Sequence, residues 1–211
     1  MGKINQGILG GLSGKVGNVI GGSWKGIDYI RIKPSSVANP RTAGQVNQRN
    51  KFTATLEFLQ PNIEFIREGY KEYAVKQTTF NAAMSEILSN AIEGTAPDFT
   101  VNYADALLSK GDLKSMSNGV FDVTIGTQIN LSWSNNSNEI NANTDDRVMY
   151  SVYNPLKKES LVGYGSSRVD GAMLKPLPSN FSGDLVHVYT AFVSTGGKIS
   201  NSTYLGSGTV A

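Results

Sequence analysis

The chain has 211 residues, with 19 Lys and Arg against 17 Asp and Glu, one His, no Cys and 23 Gly. That length allows one large domain or two small ones, each able to bury a core. The lack of cysteine excludes disulfides, thiol chemistry and thiolate-ligated zinc, and a single histidine excludes multi-histidine metal sites and leaves few catalytic triads. The net charge of +2 is unevenly spread: residues 1–52 hold Lys3, Lys15, Lys25, Arg31, Lys33, Arg41, Arg49 and Lys51 against Asp28 alone, a net +7, and the remainder carries −5.

Polar residues and glycines interrupt every apolar stretch of the N-terminus, so no secretory signal is read there. No apolar run reaches the roughly 18 residues a membrane helix needs. Gln6 stands where a myristoylation site wants Ser or Thr. The expectation is a chain made in the cytoplasm without membrane insertion, leaving a cell, if it does, by lysis or a dedicated machine.

Nine of the 23 glycines fall within the first 26 residues. An interior glycine costs a helix about 1 kcal/mol relative to alanine, so this segment reads as an extended, glycine-jointed arm. Its second part is rich in β-formers: Val16, Val19, Ile20, Trp24, Ile27, Tyr29, Ile30 and Ile32, with Ser23-Trp24-Lys25-Gly26 as a hairpin turn. Pro34 and Pro40 close this region with a loop. From Thr42 the period becomes helical. Thr42 and Gln45 fit a capping box, Val46, Phe52, Leu56 and Leu59 recur at helical spacing, and Pro61 stops the run. A second helix is expected from Ile63 to about Val75, with Ile63, Ile66, Tyr70 and Tyr73 on one face. A third follows Thr78 or Thr79, with Phe80, Met84, Ile87, Leu88, Ala91 and Ile92 as its buried stripe and Gly94 at its exit. Phe99, Val101 and Tyr103 alternate as a further strand within 98–109.

Beyond Lys110-Gly111-Asp112 the helical period gives way to short strand runs near 120–125, 128–134, 147–154, 160–165, 172–177, 185–194 and 203–210, with the Asn-rich stretch 135–143 as a loop. Seven short strands in about a hundred residues is a sandwich signature. Trp133 closes one alternating strand, and His187 to Val193 supply a long late one. The expected fold class is therefore α+β: residues 1–112 form a basic arm, β-hairpin and three helices, and residues 113–211 form a sandwich that resembles fibronectin type III or immunoglobulin-like domains.

The N-terminal run Met1-Gly2-Lys3-Ile4-Asn5-Gln6-Gly7-Ile8-Leu9-Gly10-Gly11, followed by Ser13-Gly14-Lys15-Val16-Gly17-Asn18-Val19, Trp24-Lys25-Gly26, Asn39-Pro40-Arg41-Thr42 and Gln45, Arg49 and Lys51-Phe52, is similar to a family of uncharacterised Bacteroidota proteins, a domain of unknown function. The resemblance implies a bacterial or phage-borne source and brings no activity or catalytic residue with it.

Tests for familiar chemistry fail on particular residues. Gly14-Lys15 suggests a phosphate loop, but Leu9 stands where its first glycine belongs and Val16 where Ser or Thr would hold Mg²⁺. Ser13, Ser23 and Ser167 each lack the second glycine of a nucleophile elbow. His187 lies in an apolar strand, as a structural histidine does. Asp145 and Asp146 are adjacent, so on a strand they face opposite ways and do not converge as an acid and base. Glu64, Glu68 and Glu72, with Arg67, Lys71 and Lys76 nearby, read as a solvated helix face.

No catalytic residue, cofactor or metal site is therefore expected, and the chain reads as a non-enzymatic assembly protein. A glycine-rich arm can add a strand to a partner's sheet, with Lys15, Val16, Val19, Ile20, Trp24 and Tyr29 as contacts between copies. Docking of a basic arm on an acidic body would build a homo-oligomer: a ring, a filament, or a virion or tail-like particle with other structural proteins as partners. The alternative is a nucleic-acid-binding accessory protein using Lys25, Arg31, Lys33, Arg41, Arg49 and Lys51 beside Trp24 and Tyr29.

Overall fold

The computed structural model describes residues 2–4, 11–24, 26–36 and 41–211. The chain divides into two compact units, 1–42 and 43–211, rather than at residue 112.

The first unit is a four-stranded antiparallel sheet in the order β1 (Lys3–Ile4), β2 (Leu12–Val16), β3 (Val19–Trp24), β4 (Ile27–Ile32). The described part of the arm is thus folded back on itself rather than extended. Val16 pairs with Val19 and Trp24 with Ile27, so both connections are two-residue turns. The expected hairpin is present, although Lys25 lies outside the described residues. Two glycines make the fold-back physically allowable. Gly14, at φ +98, bends β2 so that its first half pairs with β1 while its second half pairs with β3. Gly21 is buried, and a Cβ on it would overlap the Leu12 carbonyl, so this close backbone crossing admits no side chain.

The second unit opens with α1 (Ala43–Leu59), α2 (Ile63–Gly69) and α3 (Thr79–Asn90). Helix α1 buries Thr55, Phe58 and Leu59 and leaves Phe52 and Leu56 exposed, so its inward face is rotated from the one expected. Helix α2 is shorter than expected. It ends at Gly69, whose carbonyl accepts from the Lys110 amide in a crossing too close for a Cβ. Thr78 caps α3, its hydroxyl accepting from the Asn81 amide at 3.1 Å. Gly94 is not a helix exit. It lies in β5 (Ile92–Thr95), which forms a hairpin with β6 (Asp98–Val101).

Seven further strands are β7 (Ser117–Asp122), β8 (Gln128–Ser134), β9 (Arg147–Asn154), β10 (Glu159–Ser167), β11 (Ala172–Pro176), β12 (Leu185–Val193) and β13 (Thr203–Thr209), all close to their expected positions. They form a sheet in the order β11-β8-β7 and another in the order β10-β9-β12-β13, a sandwich-like arrangement. Ile129, Leu131 and Trp133 of the first sheet share an apolar cluster with Val148, Tyr150, Val152, Val188 and Phe192 of the second.

The alternate residues of β9 and β12 explain why the helices belong to the same unit. Met149, Tyr153, Tyr189 and Ala191 pack with Phe58, Leu59, Phe65, Ile66 and Ile87 of the helices. The β10-β9-β12-β13 sheet is therefore covered on both faces, and its inner strands lack the polar alternation of a one-sided sheet. Polar ties cross the same layer. Buried Asn62, between α1 and α2, donates to the Phe58 carbonyl and accepts from the Ser151 hydroxyl of β9 at 2.6 Å.

Candidate functional site

The residues expected to mediate contacts lie in the first unit. Lys15 and Val16 are on β2, Val19, Ile20 and Trp24 on β3, and Tyr29 on β4. Lys15 pairs with Ile20 and Ile20 with Arg31, which puts two cations and one apolar residue in a row across three strands. Alternation places Trp24, Ile27 and Tyr29 on that same face, where the Tyr29 ring packs over its cross-strand partner Gly22. Val19, Ile30 and Ile32 occupy the opposite face.

β4 sets this unit apart. Its one partner strand among the described residues is β3, and all six of its residues are exposed, including Ile27 (69%), Ile30 (68%) and Ile32 (79%). The direction of its backbone follows from one bond. The Lys33 amide donates to the Asn18 carbonyl at 2.7 Å, so hydrogen-bonded pairs alternate as 33/18, 31/20, 29/22 and 27/24. Asp28, Ile30 and Ile32 consequently turn their N–H and C=O groups outward, away from β3. Of the residues expected from sequence as contacts between copies, Tyr29 alone lies on this edge, with Arg31 of the alternative set two residues on. Ile30 and Ile32 read there as β-formers, and only the strand order shows that their strand is terminal.

The six basic residues of the alternative reading are divided between the two units. Arg31 and Lys33 are exposed at the end of β4, Arg41 is exposed just before α1, and Lys25 lies outside the described residues. Arg49 and Lys51 belong to α1 in the second unit, where the Lys51 ammonium sits 5.0 Å from the centre of the Phe99 ring.

In the second unit the chemically conspicuous groups are held by structural partners. His187 is buried, with Nδ1 2.9 Å from the Tyr204 hydroxyl and its ring 4.0 Å from that of Tyr103, and burial pushes its pKa below the ordinary imidazole value. Asp145 and Asp146 diverge: Asp145 accepts from the Thr195 hydroxyl at the surface, whereas Asp146 is fully buried against Arg168. The Arg168 guanidinium, itself fully buried, donates to Asp146 Oδ2 from Nε at 3.1 Å and from Nη2 at 3.0 Å. It also donates to Asn136 Oδ1 at 2.6 Å and the Lys114 carbonyl at 2.9 Å, and stacks 3.7 Å from the Phe192 ring centre. A cleft of about 260 Å³ beside α3 contains Glu86, which is taken up by Lys110 at 3.1 Å and Asn90 at 2.7 Å. Among the described residues, no group of three His, Asp or Glu side chains is placed to hold a metal ion, and no helix is long and apolar enough to cross a membrane.

A family of unknown function, DUF6266, matches residues 11–206. The chain belongs to this family. The DUF6266 match takes in β2 to β4, the helices and nearly all of the sandwich-like half, and leaves the first ten residues outside it. No curated protein and no solved structure matches the chain.

Proposed function

We propose that this DUF6266 chain is a non-enzymatic assembly subunit that self-associates through its N-terminal sheet. The observation that carries the reading is β4: a terminal strand exposed along its whole length, with three outward-facing peptide groups and three exposed isoleucines. Such an edge is a template for strand addition, where main-chain hydrogen bonds give affinity and alternate side chains give specificity. The body would be a fibronectin type III-like module. Its first, second and fifth strands form one sheet and its third, fourth, sixth and seventh the other, an order that supports this reading over the constant immunoglobulin type, in which the fourth strand joins the sheet of the first, second and fifth. A ring, a filament, or a virion or tail-like particle of bacterial or phage origin is the setting that suits such a subunit.

A second reading is favoured by one face of the same sheet. Lys15 and Arg31 flank Ile20 there, with Trp24 and Tyr29 alongside, and cations among stacking aromatics suit single-stranded nucleic acid. It predicts binding that weakens steeply with salt.

Light scattering on the full chain and on residues 43–211 tests the assembly reading, since the shorter chain retains both apolar clusters of the second unit. The full chain is expected to give a multiple of the 22.6 kDa protomer mass and the shorter chain a monomer. A monomeric full chain, or equal association of both, contradicts it.

A further inference from the structure

We infer that β4 pairs antiparallel with β4 of a second copy about a two-fold axis at Ile30. This rests on the reading of the chain as a self-associating subunit and names the partner strand and the register.

The choice of strand follows from comparing edges. Proteins blunt exposed edges with bulges, prolines, charges or short length. In the second unit, β10 breaks register between Tyr164 and Ser167, and β7 between Ser117 and Val120. The β12–β13 ladder breaks at Val188/Tyr189, and β11 ends after five residues in Lys175-Pro176. The β5–β6 hairpin has four residues a side, and β1 has two. β4 has no bulge and no proline within its six residues, and its charges are Asp28 and Arg31 alone. Its six residues pair with β3 without a register break, and its one acidic side chain, Asp28, is turned onto Gly11 of its own sheet. Among the described residues, then, the strand best suited to receive β4 is another β4.

The sequence then selects one register. Both partners must present outward-facing groups, which restricts paired positions to 28, 30 and 32; the next such position is Pro34, which has no N–H. Pairing Ile30 with Ile32 would set Arg31 directly against Arg31 of the second copy, like charges at the closest cross-strand distance. Pairing Asp28 with Ile30 leaves Ile32 unused and forms four hydrogen bonds. Pairing Ile30 with Ile30 uses all three outward residues on each strand and forms six. It also places Tyr29 opposite Arg31 twice, in non-hydrogen-bonded positions where side chains approach most closely, so each guanidinium meets an aromatic ring and the two cations are kept apart. Because each copy offers the same strand, this contact closes at two; larger particles would use other surfaces.

The chain has no cysteine, so single-cysteine variants report the register directly. In the inferred pairing, positions 30 and 30 of the two copies have Cα atoms about 5.5 Å apart, within disulfide range. Positions 29 and 29 lie diagonally at about 7–8 Å, beyond it. Mild oxidation of the full-length I30C variant should give a covalent dimer far faster than Y29C. Faster cross-linking of Y29C overturns this register while leaving association through the sheet intact. Oligomers by light scattering with no cross-linking of either variant overturn the β4 contact alone, and monomers throughout overturn both this inference and the assembly reading.

Discussion

Replacing Arg168 with alanine lowers the stability of the 43–211 unit by about 3–5 kcal/mol, the cost of leaving a buried charge without its partner. Arg168 and Asp146 are both fully buried, and the guanidinium reaches Asp146, Asn136 and the Lys114 carbonyl while stacking on Phe192. Removing it strands the Asp146 carboxylate, which keeps the Asn143 amide at 2.8 Å and, among the described residues, has no other cation within ion-pair distance. It also releases Asn136, and with it the anchoring of the Asn-rich loop. Urea unfolding should show the loss as a lower midpoint. The D146A change alone should be comparably harmful, and the double change R168M/D146L should cost much less than the sum, since a well-packed apolar pair carries no desolvation penalty. A single R168A loss below about 0.5 kcal/mol, the range of an ordinary surface change, would show that this network does not hold the sandwich end together.

The F58A variant should lose about 3–5 kcal/mol, the usual cost of truncating a buried phenylalanine, and lose it from helices and strands at once. Phe58 on α1 is 2% exposed, and its ring lies 5.3 Å from Tyr153 of β9, 6.0 Å from Tyr189 of β12 and 5.6 Å from Tyr103. These contacts cross the boundary at residue 112 that composition suggested. If helices and sandwich share one core, helical circular dichroism and Trp133 fluorescence, read with Trp24 replaced by Phe, should unfold in one coincident transition that the substitution shifts as a whole. Two separate transitions, only the helical one moved by F58A, would mean that the two halves are independent after all.

How far the sequence carries can be followed in individual residues. The strands of the second half were legible because turn clusters bound short β-rich runs, and Thr78 because a hydroxyl before an apolar stripe has a specific capping role. The shared core was harder to see. Val148 to Tyr153 and Val186 to Phe192 are nearly continuous apolar runs, which signal burial on both faces of a strand, but nothing local says what covers the second face. The inward face of α1 departs from its apolar period for a related reason: Phe52 and Leu56 fit the helical period, yet Thr55, Phe58 and Leu59 are the residues buried. Arg168 gave no signal, because its partners Asp146, Asn136 and Lys114 are 22 to 54 residues away. In the first unit, β-propensity marked Val19 to Ile32 as strand-forming, where β3 and β4 lie. That β4 is terminal, and which of its peptide groups face outward, depends on strand order and ladder phase, which composition does not encode.

If β4 is the contact between copies, the I30P variant disrupts it selectively. Ile30 directs its amide away from β3, so proline there removes no bond within the sheet and is tolerated as at other edge positions. It deletes the outward donor at the centre of the pairing. Light scattering should find the wild-type chain and an I30V control self-associated, and I30P monomeric with unchanged circular dichroism. An I30P chain that is folded and associates as strongly as wild type would show that copies do not meet through β4.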